Sequence, residues 1–130
     1  MSSNDPLANV LSHILIEDAK GRKTVTVKPN SKTVRKVLSL LKENNYLGEL
    51  KFIEDGKSGK IEVNLLGAIN KTGVIKPRYS VKKSDFKNFE KRYLPAFGFG
   101  VLIVSTNKGI MTHESAIKNN LGGKLLAYVY

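Results

Sequence analysis

The spacing of apolar residues predicts two helices near the start of the chain. An Asp5-Pro6 pair, typical of a helix N-cap and first helical position, precedes apolar residues at helical spacing, which continue until Gly21. A second helix is predicted to begin after a Ser31 cap and to end at the asparagine pair 44–45. The two apolar stripes comprise Leu7, Val10, Leu11 and Ile14, and Val34, Val37, Leu38 and Leu41.

Alternation of apolar and polar residues predicts three strands around these helices. "KTVTV" (23–27) is typical of a short strand, which Pro29 ends. "GELKFIE" (48–54) and "KIEVNLL" (60–66) flank "DGKSG", whose Asp-Gly and Ser-Gly pairs favour a turn, so these segments predict a β-hairpin. Residues 1–67 are therefore predicted to form an α-β-α-β-β lobe.

Residues 68–130 are predicted to form a second lobe, a mostly antiparallel sheet with short helices. Its first strands are expected within "GAINKTGVIKPRYSVKK", and a short helix begins at Ser84 and stops at Pro95. "FGVLIVS" predicts a buried strand, and "KLLAYVY" predicts a terminal strand. Between them, Thr112 is predicted to cap a brief helix, which the glycines at 122–123 break. The fold class predicted for the whole chain is α/β (α+β), with two small lobes.

Net charge points to a polyanionic partner. The chain has 22 Lys and Arg against 11 Asp and Glu, a formal net charge of +11. Residues 1–70 hold 11 basic and 8 acidic residues, net +3, whereas residues 71–130 hold 11 basic and 3 acidic residues, net +8. An excess of this size favours nucleic acid or an anionic membrane surface as the partner, and its distribution favours contact through the second lobe.

Composition excludes several other classes of protein. The sequence has no cysteine, so disulfides and thiolate zinc sites are impossible, and an intracellular, reducing compartment fits. The apolar runs fall short of the roughly 20 residues that span a bilayer, and "MSSNDPLANVL" has no basic n-region. We expect neither a membrane span nor a secretory signal.

Candidate catalytic groups do not assemble into a site. His13 and His113 lie in different predicted lobes, and neither has partners at metal-ligand spacing. His113 and Glu114 are predicted in the first turn of a helix, with His113 exposed, and no nucleophile elbow surrounds Ser105. No dinucleotide fingerprint or Walker loop is present. We expect no catalysis, metal, cofactor or small-molecule substrate, and an RNA-processing enzyme that uses His113 and Glu114 is the weaker alternative.

The segment "KPRYSVKK" predicts a basic binding surface. Lys76, Arg78, Lys82 and Lys83 supply salt-sensitive attraction to phosphate. Tyr79 among them has two interpretations, a ring that stacks on a splayed base and a core aromatic residue.

The run "STNKG" predicts a second, more selective element. Ser105 and Thr106 offer hydroxyls, Asn107 an amide that donates and accepts, and Lys108 a charge. Gly109 allows positive φ or close approach to a ligand. The sequence places this run in a loop between the buried strand and the brief helix, where it suits short-range contact with RNA.

Four segments resemble a known family: "DPLANVLSHI", "KPRYSVKK", "FGFGVLIVSTNKGIMTHESA" and "GGKLLAYVY". They are similar to the universal small-subunit ribosomal protein eight family in its archaeal and eukaryotic cytoplasmic form, over essentially the whole chain. The resemblance implies a two-lobe fold that binds the central domain of small-subunit ribosomal RNA directly. It further implies a role in subunit assembly and translation beside neighbouring ribosomal proteins, in the cytoplasm, with nucleolar passage in a eukaryote.

The resemblance also implies roles for particular residues. Ser105, Thr106 and Asn107 match the family loop that reaches into the RNA minor groove at an irregular helix. Bacterial members carry Ser at position 107 and an acidic residue at position 124, so Asn107 and Lys124 depart from that pattern while both stay candidate RNA contacts. Binding of the chain to its own messenger RNA, as a repressor of translation, is a further role that the resemblance permits.

Overall fold

The computed structural model describes residues 5–28, 31–54, 56, 59–96 and 98–130. Two compact units make up the chain, Met1–Asn70 and Lys71–Tyr130. The predicted strand end at Pro29 and most of the turn "DGKSG" lie outside the described residues. The lobe boundary after residue 67 stays a prediction.

The first unit has the predicted order of elements. It contains α1 (Pro6–Ala19), β1 (Thr24–Val27), α2 (Lys32–Glu43), β2 (Leu47–Ile53) and β3 (Lys60–Leu65). The strands form an antiparallel sheet in the order β1-β3-β2, so β2 and β3 pair as the sequence predicts. In β1 and β3 the apolar residues are buried and the polar residues between them are accessible, as expected for a sheet with one face in the core.

Both helices of this unit begin at the residues that the sequence predicts. The carboxylate of Asp5 accepts from the Ala8 N–H (3.1 Å), and the Ser31 hydroxyl oxygen accepts from the Val34 N–H (3.2 Å). At the end of α2, Asn45 adopts a φ of 67°, and the next residue donates its N–H to the Leu41 carbonyl. These are the bonds of a Schellman motif, which satisfies carbonyls that the helix leaves unpaired.

The second unit contains five strands and two helices among its described residues. They are β4 (Thr72–Val74), β5 (Ser80–Val81), α3 (Phe86–Tyr93, preceded by a 3-10 turn), β6 (Val101–Thr106), β7 (Gly109–Thr112), α4 (His113–Lys118) and β8 (Gly123–Val129). The sheet order is β4-β8-β6-β7, and β5 pairs with the start of β8 on the side that β4 occupies further along. The prediction of a mostly antiparallel sheet with short helices is confirmed.

One face of this sheet packs against α3 and α4. The core that they share is built of Ile75, Val81, Phe86, Leu94, Leu102, Val104, Ala116 and Leu125. Phe86 is fully buried and is among the largest side chains in this core, so it anchors the start of α3. Because β6 and β8 lie in this core, the turns and short strands at their ends are held on a rigid support.

The helix α4 ends differently from the prediction. Thr112 caps its start, since the Thr112 hydroxyl oxygen accepts from the Ser115 N–H (3.3 Å), as the sequence predicts. Its end is made by Asn120 with a φ of 56°, and Leu121 donates its N–H to the Ala116 carbonyl (2.8 Å). The prediction that the glycines at 122–123 break this helix was therefore wrong, because asparagine also tolerates the left-handed conformation.

Candidate nucleic-acid interface

The run "STNKG" lies at the tip of a β-hairpin. β6 extends through Thr106, β7 begins at Gly109, and these two residues form the last pair of the ladder. Only Asn107 and Lys108 connect the strands. The predicted strand-to-helix loop was wrong, since a short strand intervenes before α4.

The hydroxyl of Thr106 holds this tip together. Its Oγ1 donates to the Gly109 carbonyl (2.7 Å) and accepts from the Lys108 N–H (3.1 Å). Gly109 has a φ of +117°, and a Cβ at this position would meet nothing within 4 Å, so the backbone conformation and not lack of space requires glycine. The hydroxyl that sequence reasoning assigned to RNA is thus used within the turn.

Asn107 and Lys108 are the groups that the tip presents outward. Both are exposed, and within the described part of the chain neither side chain has a hydrogen bond or ion pair. An amide and an ammonium group on a fixed two-residue turn can donate to phosphate, ribose or base-edge oxygens.

Ser105 belongs to a row of polar residues that crosses three strands. Lys124 of β8 pairs with Ser105 of β6 on one side and with Ser80 of β5 on the other. Directly paired residues place their side chains on the same face of a sheet. Ser80 and Lys124 are exposed and Ser105 is half-buried, so one cation lies between two hydroxyls on this face.

Two glycines allow these strands to approach one another. A Cβ at Gly123 would lie 2.2 Å from the Ser105 carbonyl oxygen, and one at Gly122 would lie 2.5 Å from the Val81 carbonyl oxygen. Both contacts are with backbone, which cannot move aside without shifting a strand. The glycine pair therefore serves close packing of β5, β6 and β8, and this packing positions the row Ser80, Lys124 and Ser105.

The basic segment is only partly free to bind. Arg78 and Lys82 are exposed, and Lys76 is exposed but already has an interaction partner. Lys83 is also exposed, but its Nζ donates to the side-chain oxygen of Asn120 in the loop after α4. Lys83 thus joins two segments of the unit, which leaves part of its donor capacity for a ligand.

The ring of Tyr79 is packed within the protein. It is half-buried beside Phe89, with ring centroids 5.3 Å apart, and the guanidinium carbon of Arg92 lies 5.2 Å from its centroid. This arrangement favours the core interpretation of Tyr79 over a free stacking platform.

Sequence reasoning missed the cations of α3. Arg92 lies within 5.8 Å of the centroids of three rings, those of Tyr79, Phe89 and Tyr93. Phe89, Arg92 and Tyr93 are spaced three and four residues apart, so the helical pattern did carry a signal for this cluster. Lys87 and Lys91 on the same helix are exposed and add to the positive charge of the unit.

His113 is buried, not exposed as predicted. Its ring is 3% accessible; Nδ1 accepts from the Leu102 N–H (3.0 Å), and Nε2 lies 3.3 Å from Glu90 Oε1. An Nδ1 that accepts carries no proton, so Nε2 holds the proton and donates to Glu90. Both ring nitrogens are therefore engaged within the protein, and His113 is not paired with Glu114.

The described residues contain no group of three or more His, Cys, Asp or Glu side chains that could hold a metal ion. In the same part of the chain, no helix is both long and apolar enough to cross a membrane. What the second unit does assemble is a rigid hairpin tip, a hydroxyl-and-lysine row and a set of exposed cations.

Comparison with known proteins gives one family. The family model described as Ribosomal protein S8 matches residues 5–130. The match covers both units and includes the hairpin, the glycine pair and the terminal strand.

Proposed function

Since the chain belongs to the ribosomal protein S8 family, we propose that it binds an irregular helix of the central domain of small-subunit ribosomal RNA through the β6–β7 hairpin. It is a small-subunit ribosomal protein that binds ribosomal RNA beside neighbouring ribosomal proteins, and its family is structural, not enzymatic. The proposal extends to support of subunit assembly and of translation in the cytoplasm, in the archaeal and eukaryotic form of the family.

The observation that carries the proposal is the fixed tip of the hairpin beside the row Ser80, Lys124 and Ser105. A-form RNA exposes a shallow minor groove lined with 2′-hydroxyls, and an irregular helix widens access to base edges. A narrow tip with one amide and one ammonium group fits such a groove, whereas an inserted helix would not. A lysine between two hydroxyls supplies a phosphate contact next to it.

Different residues of this surface determine affinity and selectivity. Exposed cations such as Lys82 attract any phosphate backbone, because this attraction does not depend on sequence. Ser105 and Asn107 can make directed hydrogen bonds, which only one arrangement of RNA groups satisfies. Thr106 contributes by fixing the turn from which Asn107 projects.

The first test is a footprint of the purified chain on small-subunit ribosomal RNA. We expect protection of one irregular helix in the central domain, and protection spread evenly over many helices would contradict the proposal. The protected fragment and a scrambled fragment of equal length then serve as the two ligands for variants.

The second test compares three variants on these two ligands. Ser105→Ala and Asn107→Ala are expected to weaken the cognate complex about 5- to 10-fold, the value of one directed hydrogen bond, and to leave scrambled RNA nearly unchanged. Lys82→Ala is expected to weaken both complexes equally and to lower the salt dependence. Equal losses on both RNAs from all three variants would refute this division.

A messenger RNA that folds into the same irregular helix would meet the same surface, and we extend the proposal to the chain's own transcript. Crosslinking of the chain in cell extract cleared of ribosomes tests this role. Recovery of its own transcript is the expected result, and its absence would leave ribosomal RNA as the ligand.

A further inference from the structure

A groove with a cationic rim lies next to the candidate interface. It has a volume of about 600 Å³ and is lined by Lys82, Lys83, Ser84, Phe86, Lys87 and Ile117. This size falls within the range of about 300–1,000 Å³ that is usual for pockets that take small organic ligands. The lining residues come from the segment that leads into α3, from the first turn of α3 and, with Ile117, from α4, and Phe86 and Ile117 belong to or pack on the same core.

The chemistry of the groove is suited to an anion with an apolar part. Lys82 and Lys87 are exposed, and the Ser84 hydroxyl lies between them in sequence. The adjacent carboxylate of Asp85 is directed to the Lys82 N–H (3.4 Å). The groove therefore keeps a net positive rim.

Its apolar side is accessible only in part. Phe86 is fully buried, whereas Ile117 is half-buried and packs on the edge of the core. The apolar surface that a ligand can reach is thus that of Ile117 and of the lysine methylene groups. A phosphate alone would not use this surface, but a nucleotide would.

The groove begins at the end of the sheet that also carries the hairpin tip, because β5 leads from Ser80 toward Lys82 in the same direction as β6 leads from Ser105 toward the tip. Two strand spacings of about 4.8 Å, about 10 Å in all, separate Ser80 from Ser105, and Lys82 lies two residues beyond Ser80 toward the end of the sheet that carries the tip. One RNA chain can span this distance while it contacts both places. Because the chain belongs to a family that binds ribosomal RNA and the groove begins at the end of the sheet that carries the tip, RNA is favoured over an acidic peptide as the occupant.

We propose that this groove binds an unpaired nucleotide of the RNA that the hairpin contacts, with its base against Ile117 and its phosphate between Lys82 and Lys87. The inference rests on the proposed function and deepens it, since it adds a single-stranded contact to the helix contact. Unpaired bases can be splayed from a stem and offer an apolar face, which a paired base inside A-form RNA does not.

A single tethered probe can map this contact, because the chain has no cysteine. Lys87→Cys, labelled with an iron chelate that generates hydroxyl radicals, is expected to cleave small-subunit ribosomal RNA at an unpaired nucleotide close to the protected helix. Lys91→Cys, labelled in the same way, is the matched control. It lies one helical turn away on α3, about 6 Å along the axis, and lines no part of the groove.

Binding measurements then test the nucleotide itself. Lys87→Gln and Ile117→Ser are expected to weaken the cognate complex about 5- to 10-fold, and Lys91→Gln less than 2-fold. An abasic substitution at the mapped nucleotide is expected to weaken binding of the unaltered chain but not of Ile117→Ser. Thermal unfolding identifies a variant that fails to fold. If Ile117→Ser fails to fold, Lys87→Gln still tests the proposal, because Lys87 is exposed.

Three results would overturn the proposal. Equal losses of RNA affinity in Lys87→Gln and Lys91→Gln would show general charge attraction. If the abasic substitution weakened binding of Ile117→Ser as much as binding of the unaltered chain, the base would lie elsewhere. Unchanged RNA affinity, together with crosslinking from Lys87→Cys to a neighbouring protein in assembled subunits, would assign the groove to protein. Each of these results leaves the selective losses in Ser105→Ala and Asn107→Ala intact, so the proposed function is tested separately.

Discussion

At the scale of single residues, Gly123 determines how closely β8 approaches β6. The hydrogen atom that glycine carries in place of a side chain is the only substituent that fits beside the Ser105 carbonyl oxygen. Ser105 and Lys124 are cross-strand partners one position further along, so any displacement here moves both candidate RNA contacts. A residue with no functional group thus controls the geometry of two residues that have one.

Gly123→Ala is expected to lower the free energy of unfolding by about 2–3 kcal/mol, as usual for overpacking against groups that cannot move aside. It should also reduce affinity for cognate RNA, because β6 and β8 must separate. Urea unfolding and RNA binding measure the two effects.

Gly48→Ala is the matched control, since Gly48 is also a strand glycine without positive φ. The atoms nearest to its added Cβ belong to the side chain of Asn64, whose amide nitrogen at 2.8 Å can rotate away. We expect a change below about 1 kcal/mol. A loss in Gly48→Ala equal to that in Gly123→Ala would show that any strand glycine is equally sensitive.

Residue roles that depend on neighbours in sequence were predictable, and those that depend on distant partners were not. The caps at Asp5, Ser31 and Thr112 follow from residue type and position alone, and all three are confirmed. The burial of His113 depends on Leu102, 11 residues away, and on Glu90 in another helix. No local pattern identifies such a contact before the topology is known.

At the scale of elements, His113 joins the hairpin to its support. The ladder between β6 and β7 ends at the pair Ile103 and Thr112. The next residues along the two strands are Leu102 and His113, and the Leu102 N–H donates to the His113 ring. The other ring nitrogen, Nε2, donates to the carboxylate of Glu90 on α3. One imidazole thus connects β6, α3 and the start of α4, which fixes the base of the hairpin whose tip carries Asn107.

His113→Ala is expected to lower the free energy of unfolding by about 2–4 kcal/mol, since it leaves the Leu102 N–H buried without an acceptor and opens a cavity. Glu90→Gln should cost less than about 1 kcal/mol, because the amide oxygen can still accept from Nε2. Urea unfolding compares the two, with the exposed Glu114→Ala as control.

Amide exchange gives a direct measure of the same contact. Exchange of the Leu102 N–H should accelerate in His113→Ala and stay close to the original rate in Glu114→Ala. A His113→Ala protein with unchanged Leu102 exchange would contradict the role of the ring as acceptor.

Helices and long strands could be predicted, whereas the shortest elements could not. The N-terminal order α-β-α-β-β follows from clear periodicities and is confirmed. β7 has four residues and follows a turn without an Asn-Gly or Asp-Gly pair, so the sequence carries no strong hairpin signal there. The hairpin forms because Thr106, Gly109 and the β6 edge supply its bonds, and this pairing is a property of the assembled sheet.

At the scale of the whole molecule, the distribution of charge matters more than its total. The net charge is +11, of which residues 71–130 carry +8. The second unit also holds the hairpin tip, the row Ser80, Lys124 and Ser105, and the groove at the start of α3. This asymmetry can be read from the sequence alone, because counting charges along the chain needs no knowledge of the fold.

Two triple variants separate distribution from total charge. Arg78→Gln, Lys108→Gln and Lys124→Gln remove three exposed cations from the second unit, and Lys28→Gln, Lys36→Gln and Lys51→Gln remove three from the first. Each set lowers the net charge by three, so attraction that depends on net charge alone predicts equal effects. If the RNA contacts the second unit, only the variant that lacks Arg78, Lys108 and Lys124 neutralises fewer phosphates.

The slope of log affinity against log salt concentration decides between these outcomes. Each phosphate contact contributes about 0.7–0.9 to the slope, so the second-unit set should lower its magnitude by about 2, and the first-unit set by less than about 0.5. Circular dichroism of both triple variants verifies that the fold is kept. Equal decreases in slope would mean that the RNA is held by the field of the whole chain, and the hairpin would then lose its distinction as the contacting surface.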